Sequence, residues 1–132
     1  MSETAQKYLE KSKESLASAK DDLAKKRFNS CANRAYYACY QAAVALLLKY
    51  NVTPAGEKEL RKHGAVQSQI AVLIKRKKIL PTNQRDVLSE LIGVRITADY
   101  FASSVPKRAA KQALKKAEEF VKLISQEVSS ND

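Results

Sequence analysis

Apolar residues recur along most of this chain at the helical spacing i, i+3, i+4, i+7. From Glu3 to Ala24 they stand at Ala5, Tyr8, Leu9, Leu16, Ala19 and Leu23, with Lys and Glu on the other face. That predicts a first helix with Ser2 as its cap. Lys25-Lys26-Arg27-Phe28-Asn29 reads as a turn. From Ser30 to Tyr50 the chain is apolar nearly all round, which marks the central helix of a bundle. Its alanines at 35, 38, 42, 43 and 45 would let neighbouring backbones come close. Asn51-Val52-Thr53-Pro54-Ala55-Gly56 is a breaker. A lysine-rich approach over Glu57 to Lys62 leads to a shorter third helix, His63 to Lys75, striped by Val66, Ile70, Leu73 and Ile74. Lys75 to Pro81 then connects to a fourth helix over Asn83 to Ala102, for which Thr82 is the expected cap. Its stripe runs Val87, Leu88, Leu91, Ile92, Arg95, Ala98, Asp99 and Ala102. Ser103-Ser104-Val105-Pro106 ends it, and Pro106 suits the first turn of a fifth helix. That helix reaches Val128 on Ala110, Ala113, Leu114, Ala117, Val121 and Ile124. Short loops between long helices imply antiparallel neighbours. The expected fold is all-α: an antiparallel up-and-down bundle of about five helices, four long and one short, forming one domain over residues 1–132.

Composition supports helix: 45% of residues are apolar, while Gly and Pro number only 3 each, which argues against a sandwich or barrel. The longest apolar run, Ala42 to Leu48, is too short to span a membrane. The polar start Met1-Ser2-Glu3-Thr4 is unlike a signal peptide. Cys31 and Cys39 would lie roughly 12 Å apart on one helix, out of disulfide reach. They read as buried small residues of a reduced, cytoplasmic protein. One His and two Cys make a zinc site an unsuitable reading, and neither a metal nor a cofactor is implied.

Charge adds a partner. The formal net charge is +10. It gathers at Lys25 to Arg27, at Lys58 to Lys62, at Lys75, Arg76, Lys77 and Lys78, and at Lys107, Arg108, Lys111 and on to Lys116. Such a surface attracts phosphate polymers or an acidic partner; alternatively it is a solvated helical face. Asp21-Asp22 and Glu118-Glu119 read as solvated faces.

Two polar islands interrupt the stripes. Asn33-Arg34-Ala35-Tyr36-Tyr37-Ala38 lies in the second helix, and Arg95-Ile96-Thr97-Ala98-Asp99-Tyr100 in the fourth. Arg95 and Asp99, four apart, continue an inward stripe. They form either an internal ion pair that fixes register or a site at an interface, where Arg holds phosphate or carboxylate by two parallel bonds. Arg34, Tyr37 and Gln41 share one helical face, and Asn33, Tyr36 and Tyr40 a neighbouring one. Tyrosines at this spacing are core residues with a hydroxyl at the rim, or ligand-stacking residues. His63, beside a lysine cluster, is either an exposed or capping residue or a base kept neutral by its neighbours. The chain has no G-x-x-x-x-G-K, G-x-S-x-G or H-E-x-x-H.

Taken together the islands resemble the HEPN superfamily, in its short stand-alone prokaryotic form. The family run S-R-A-Y-Y-A-x-F-x-A is similar to Asn33-Arg34-Ala35-Tyr36-Tyr37-Ala38-Cys39-Tyr40-Gln41-Ala42. An H-G segment followed by aliphatics is matched by His63-Gly64-Ala65-Val66, and R-x-x-A-D-Y by Arg95 to Tyr100. The resemblance implies a helical bundle, commonly a homodimer, and often a minimal nucleotidyltransferase as its toxin–antitoxin partner. Catalytic relatives are metal-independent ribonucleases. Their Arg is followed a few residues later by His, and the two meet at the dimer cleft to position a phosphate and assist attack by the ribose 2′-hydroxyl. Here Tyr100 stands where that His is sought, and a Tyr with a pKa near ~10 is a poor base at neutral pH.

The favoured reading is therefore a cytoplasmic, dimeric HEPN binding partner of a nucleotidyltransferase, or a holder of nucleotide or RNA, without an intact ribonuclease motif. Its cleft would comprise Asn33, Arg34, Tyr37, Gln41, Arg95, Asp99 and Tyr100. One alternative is an endoribonuclease toxin with an altered site built from Arg95, His63 and Tyr100. Another is a basic nucleic-acid-binding bundle using Lys75 to Lys78 and Lys107 to Lys116.

Overall fold

The computed structural model describes residues 3–52 and 63–130, with the His63 side chain outside that set. Five helices run α1 (Glu3–Ala24), α2 (Phe28–Lys49), α3 (His63–Lys77), α4 (Val87–Tyr100) and α5 (Lys107–Ser129). A short 3-10 turn, Thr82–Gln84, precedes α4. The architecture is the expected all-α helical bundle. The caps expected at Ser2, the breaker residues 53–56 and the lysine-rich approach 57–62 lie outside the described residues.

α2 is the axis of the bundle. Cys31, Ala32, Ala35, Tyr36, Ala38, Cys39 and the run from Ala42 to Leu47 are all buried, and α1, α3, α4 and α5 pack around them. Small residues set how close α1 comes. Ser12 and Ser15 interrupt its apolar stripe yet are buried. Ser12 Oγ donates to the Ala38 carbonyl at 2.7 Å, so its polarity is satisfied and its volume stays low. Tyr8, Leu16 and Leu23 border the core rather than filling it. Pairings Ser12–Ala38 and Asp22–Ser30 make α1 and α2 antiparallel. Asn33–Asp99 makes α2 and α4 antiparallel with Arg95 over Tyr36. Alternation is thus carried by α1, α2, α4 and α5, while α3 packs on α2 and the 3-10 turn.

Four boundaries differ from the periodicity, each for a local reason. The first turn is shorter than expected, because Lys26 adopts φ 61° and Arg27 N donates to Asp22 O, so α2 begins at Phe28. Helix α3 runs on to Lys77, and Lys78 at φ 52° reverses the chain. Thr82 does not cap α4. It opens the 3-10 turn, in which Arg85 N donates to Thr82 O and the Gln84 side chain is buried. The α ladder starts only where Glu90 N reaches Asp86 O. Helix α4 ends at Tyr100 because Phe101 is extended, which leaves Ala102 exposed and outside the stripe. Pro106 precedes the first turn of α5 and accepts from Ala110 N. Phe120, absent from the expected stripe, is fully buried on the Ala113–Ala117–Ile124 face.

Asp22 is the clearest correction to the solvated-face reading. It is buried and accepts from Arg27 Nε at 2.8 Å and from Ser30 Oγ at 2.6 Å. Glu118 and Glu119 do lie at the surface, with Glu118 3.4 Å from Lys20. Among the described residues no helix is long and apolar enough to cross a membrane. Both cysteines are buried and free. Burial pushes the Cys31 thiol up to about 11, helped by the charge of Asp22, and raises that of Cys39 as well.

Candidate functional site

Antiparallel packing sets the N-terminal half of α2 against the C-terminal half of α4, and so brings the two polar islands into contact. Asn33 is the joint. Its amide nitrogen donates to both carboxylate oxygens of Asp99, at 3.3 and 3.0 Å. Its amide oxygen accepts from Arg34 Nε and Nη2 at 2.9 and 2.8 Å. Asp99 in turn accepts from Arg95 Nε at 3.2 Å, an i, i+4 pair whose side chains are 16% and 28% exposed. A chain of polar groups therefore runs Arg34–Asn33–Asp99–Arg95.

Aromatic rings surround the Arg95 guanidinium. Its Cζ lies 5.7 Å from the Tyr36 ring, 5.3 Å from Tyr37 and 5.7 Å from Tyr100, within cation–π range of all three. Arg95 Nη2 also donates to the Tyr100 hydroxyl at 3.4 Å. Arg34 lies 5.1 Å from the Tyr37 ring. Tyr36 is buried and packs edge-on to Tyr37 at 5.3 Å and stacks on Tyr40 at 6.2 Å. The tyrosine cluster is thus core at its base and a platform for cations at its rim. The guanidinium is placed among three rings and tied by a carboxylate while remaining partly open to solvent. That is the arrangement in which Arg presents its fork to a phosphate or carboxylate.

Burial raises the Tyr36 hydroxyl well above its ordinary value, Tyr40 adds to the rise, and the Arg95 charge opposes it. Tyr36 therefore stays protonated at neutral pH. It is a hydrogen-bond donor there rather than a base. Tyr100 is 69% exposed, and Phe101 and Ile96 beside it are also exposed. The open side of the site is accordingly aromatic and apolar.

Of the residues singled out in the sequence, Asn33, Arg34, Tyr37, Arg95, Asp99 and Tyr100 come together. Gln41 does not. It lies 2.8 Å from Ser15 Oγ on the α1 side of α2. With its amide nitrogen turned to α1 it donates to Lys11 O at 3.1 Å and Tyr37 O at 3.2 Å. Gln41 thus fastens the α1–α2 seam. His63 opens α3, and its side chain lies outside the described residues. Lys75, Arg76, Lys77 and Lys78 are exposed at the end of α3, and Lys107, Arg108 and Lys111 at the start of α5. Tyr36 and Phe101 were not among the expected cleft residues. For Tyr36 the signal was available in its place one residue before Tyr37 and three after Asn33. For Phe101 it was not, because its exposure depends on where α4 stops. Among the described residues no three His, Cys, Asp or Glu side chains converge as metal ligands would.

Comparison with known proteins gives this geometry a setting. The model of the HEPN domain family matches residues 5–128. A relative from Methanocaldococcus jannaschii, carrying the name "Putative toxin MJ0605", is 27% identical over 119 residues, covering 90% of this chain and 84% of its own length. Both islands, helices α2, α3 and α4, and all but the outermost residues of α1 and α5 fall inside the span matched by the family model.

Proposed function

The chain belongs to the HEPN domain family, and from that premise we propose that it is a toxin–antitoxin-type protein that acts by binding. In this reading the single domain of residues 1–132 works in the cytoplasm as a homodimer. Its α2–α4 site holds a nucleotide or RNA segment and meets a minimal nucleotidyltransferase-family partner. The observation that carries the reading is the Arg95 guanidinium, held among Tyr36, Tyr37 and Tyr100 and tied by Asp99. It offers charge and planar recognition to a phosphate. Tyr36 stays protonated, so proton transfer to it at neutral pH is not favoured. The exposed Ile96, Tyr100 and Phe101 beside the site are what a second protomer would cover. The relative's name places a similar chain among toxins.

The second reading, a metal-independent endoribonuclease with an altered site, is favoured by that toxin name and by the Arg95–Tyr100 hydrogen bond. One experiment separates the two. Purified wild type, Arg95→Ala and His63→Ala are incubated with RNA in EDTA, and nucleotide binding is measured alongside. The binding reading expects intact RNA throughout and a loss of affinity of about tenfold or more for Arg95→Ala, the loss of a charge-assisted contact. Cleavage by wild type that disappears in Arg95→Ala establishes the nuclease instead, and His63→Ala then shows whether that residue is the base.

A further inference from the structure

A groove runs between α1 and α5, on the seam of α5 away from the α2–α4 site. Its volume is about 480 Å³, and Leu23 and Leu114 form its apolar floor. Arg108, Lys111 and Lys115 line one side in a single helical row, with Gln112 beside them. A second hollow of about 460 Å³ shares Lys115 and Glu118 with it and carries the groove on to Leu16, Lys20, Glu119 and Lys122. From Arg108 to Lys115 the row is roughly 10 Å long at helical rise.

The first hollow is predominantly positive, with three cations against one acid, whereas the second is mixed, with Glu118 and Glu119 beside its lysines. Glu118 is the acid that lines the first hollow, and it is engaged by Lys20 at 3.4 Å. Among the described residues Arg108, Lys111 and Lys115 have no ion pair, whereas Lys116 nearby is bonded to Glu90.

The basic clusters at the end of α3 and at the head of α5 differ in what the fold does with them. Lys75, Arg76 and Lys77 occupy the last turn of α3, where the negative end of the helix dipole stabilises cations. The fold accounts for that cluster without a ligand. Helix α5 does the reverse. Its first turn holds no acid and carries Lys107 and Arg108 against the positive end of the dipole. Lys107–Lys111, Arg108–Lys111 and Lys111–Lys115 are like-charge pairs at helical-neighbour spacing, each unfavourable. Glu118 and Glu119, three and four residues beyond Lys115, offset its charge, but Lys107, Arg108 and Lys111 have no acid at helical-neighbour spacing, and uncompensated local conflict of this kind marks function.

We propose that the α1–α5 groove is a second binding site, separate from the Arg95 site, that takes the phosphate backbone of a single-stranded nucleic acid along Arg108, Lys111 and Lys115. A linear row of point-charge donors tracks a backbone without reading its sequence. The bound phosphates relieve the charge conflict at the head of α5. This site stands whether or not the Arg95 site binds nucleotide.

The probe is a fluorescein-labelled 20-nucleotide oligouridylate, with anisotropy read across a salt series on the full chain. Arg108→Glu/Lys111→Glu/Lys115→Glu is compared with Lys75→Glu/Arg76→Glu/Lys77→Glu, which changes charge equally, and with Arg95→Ala. The groove variant should lose at least about tenfold in affinity, and its log–log salt slope should fall by about 2, three phosphate contacts at the single-strand value. The α3 variant should lose less than about threefold, by long-range charge alone. Circular dichroism should show the groove variant as helical as wild type with a cooperative melt, since one acid gained in the first turn of α5 is countered by new like-charge neighbours along the row. Retained helix and a cooperative melt exclude misfolding as the cause of lost binding. Equal losses in both triple variants, or no binding by wild type, would overturn the proposal. So would undiminished oligouridylate binding accompanied by lost poly-glutamate binding, which assigns the groove to an acidic protein. Loss in the groove variant with Arg95→Ala unchanged supports the groove while removing RNA from the α2–α4 site, so the two readings fail separately.

Discussion

Two Arg–Asp junctions, at the α1–α2 corner and at the α2–α4 seam, use the same chemistry to different ends. At the corner, Asp22 is buried and takes bonds from Arg27 and Ser30, and the chain reverses within a few residues around it. Each of its carboxylate oxygens accepts from a donor of the same corner. At the seam, Arg95 and Asp99 are partly open, joined to Arg34 through Asn33, and face an exposed Tyr100. A closed junction fixes the fold; an open one with the same residue types can exchange an internal partner for a ligand. Burial and completeness of pairing, rather than residue identity, separate a structural ion pair from a binding site.

Stability measurements should break or uphold that contrast most strongly. Asp22→Ala should cost about 2 kcal/mol in urea unfolding, since it leaves donors without their buried acceptor. Asp99→Ala, in a partly solvated pair, should cost under about 1 kcal/mol. The opposite order would mean that the seam, not the corner, holds the fold. Cys31 reports the same corner. In the folded wild type neither it nor Cys39 should react with a thiol reagent at pH 8, because both are buried with raised pKa values. In Asp22→Ala, Cys31 should become reactive first.

Next in size is ligand affinity. Arg95→Ala should lose about 1.4 kcal/mol of nucleotide binding, a tenfold change, while Arg27→Ala leaves that affinity alone. Titration of nucleotide by calorimetry checks both. A smaller effect should follow Asn29→Ala. Asn29 Oδ1 accepts from Val105 N at 2.8 Å and ties the approach to α5 to the head of α2. Its loss should cost about 1 kcal/mol, measured by urea unfolding.

The smallest effect concerns acid. Lys25 hydrogen-bonds Asp21 and, with Arg27, holds its carboxyl below the ordinary value despite some desolvation. A carboxyl lowered in the folded state contributes stability above its unfolded pKa and loses it as pH falls through its folded one. Asp21→Asn should therefore lower stability slightly at neutral pH, where that contribution is present, and flatten the acid limb, with the difference from wild type vanishing at low pH. An unaltered acid limb would show that this exposed pair contributes nothing measurable.

Much of the bundle was legible residue by residue. Helix α1 ends where the apolar spacing ends, and the all-round apolar character of Ser30 to Tyr50 marks α2 as the axis it proves to be. Both islands were visible because Arg95 and Asp99 stand on an apolar stripe. The misreadings cluster where a contact from another element decides. Thr82 looks like a cap, yet the burial of Gln84 draws the chain into a 3-10 turn. Asp22 looks solvated until Arg27 and Ser30 fold back over it. Gln41 shares a helical face with Arg34 and Tyr37 but is claimed by Ser15 of α1.

The sequence by itself determined the helices, the central place of α2 and the two polar islands, because each is written in spacings of three and four residues along one segment. Tertiary structure alone decided that the islands meet through Asn33 and Asp99, that Asp22 is closed off, and that Arg108, Lys111 and Lys115 share a groove with Leu23. Those facts depend on the direction, register and separation with which helices pack, and side chains from distant segments set these jointly.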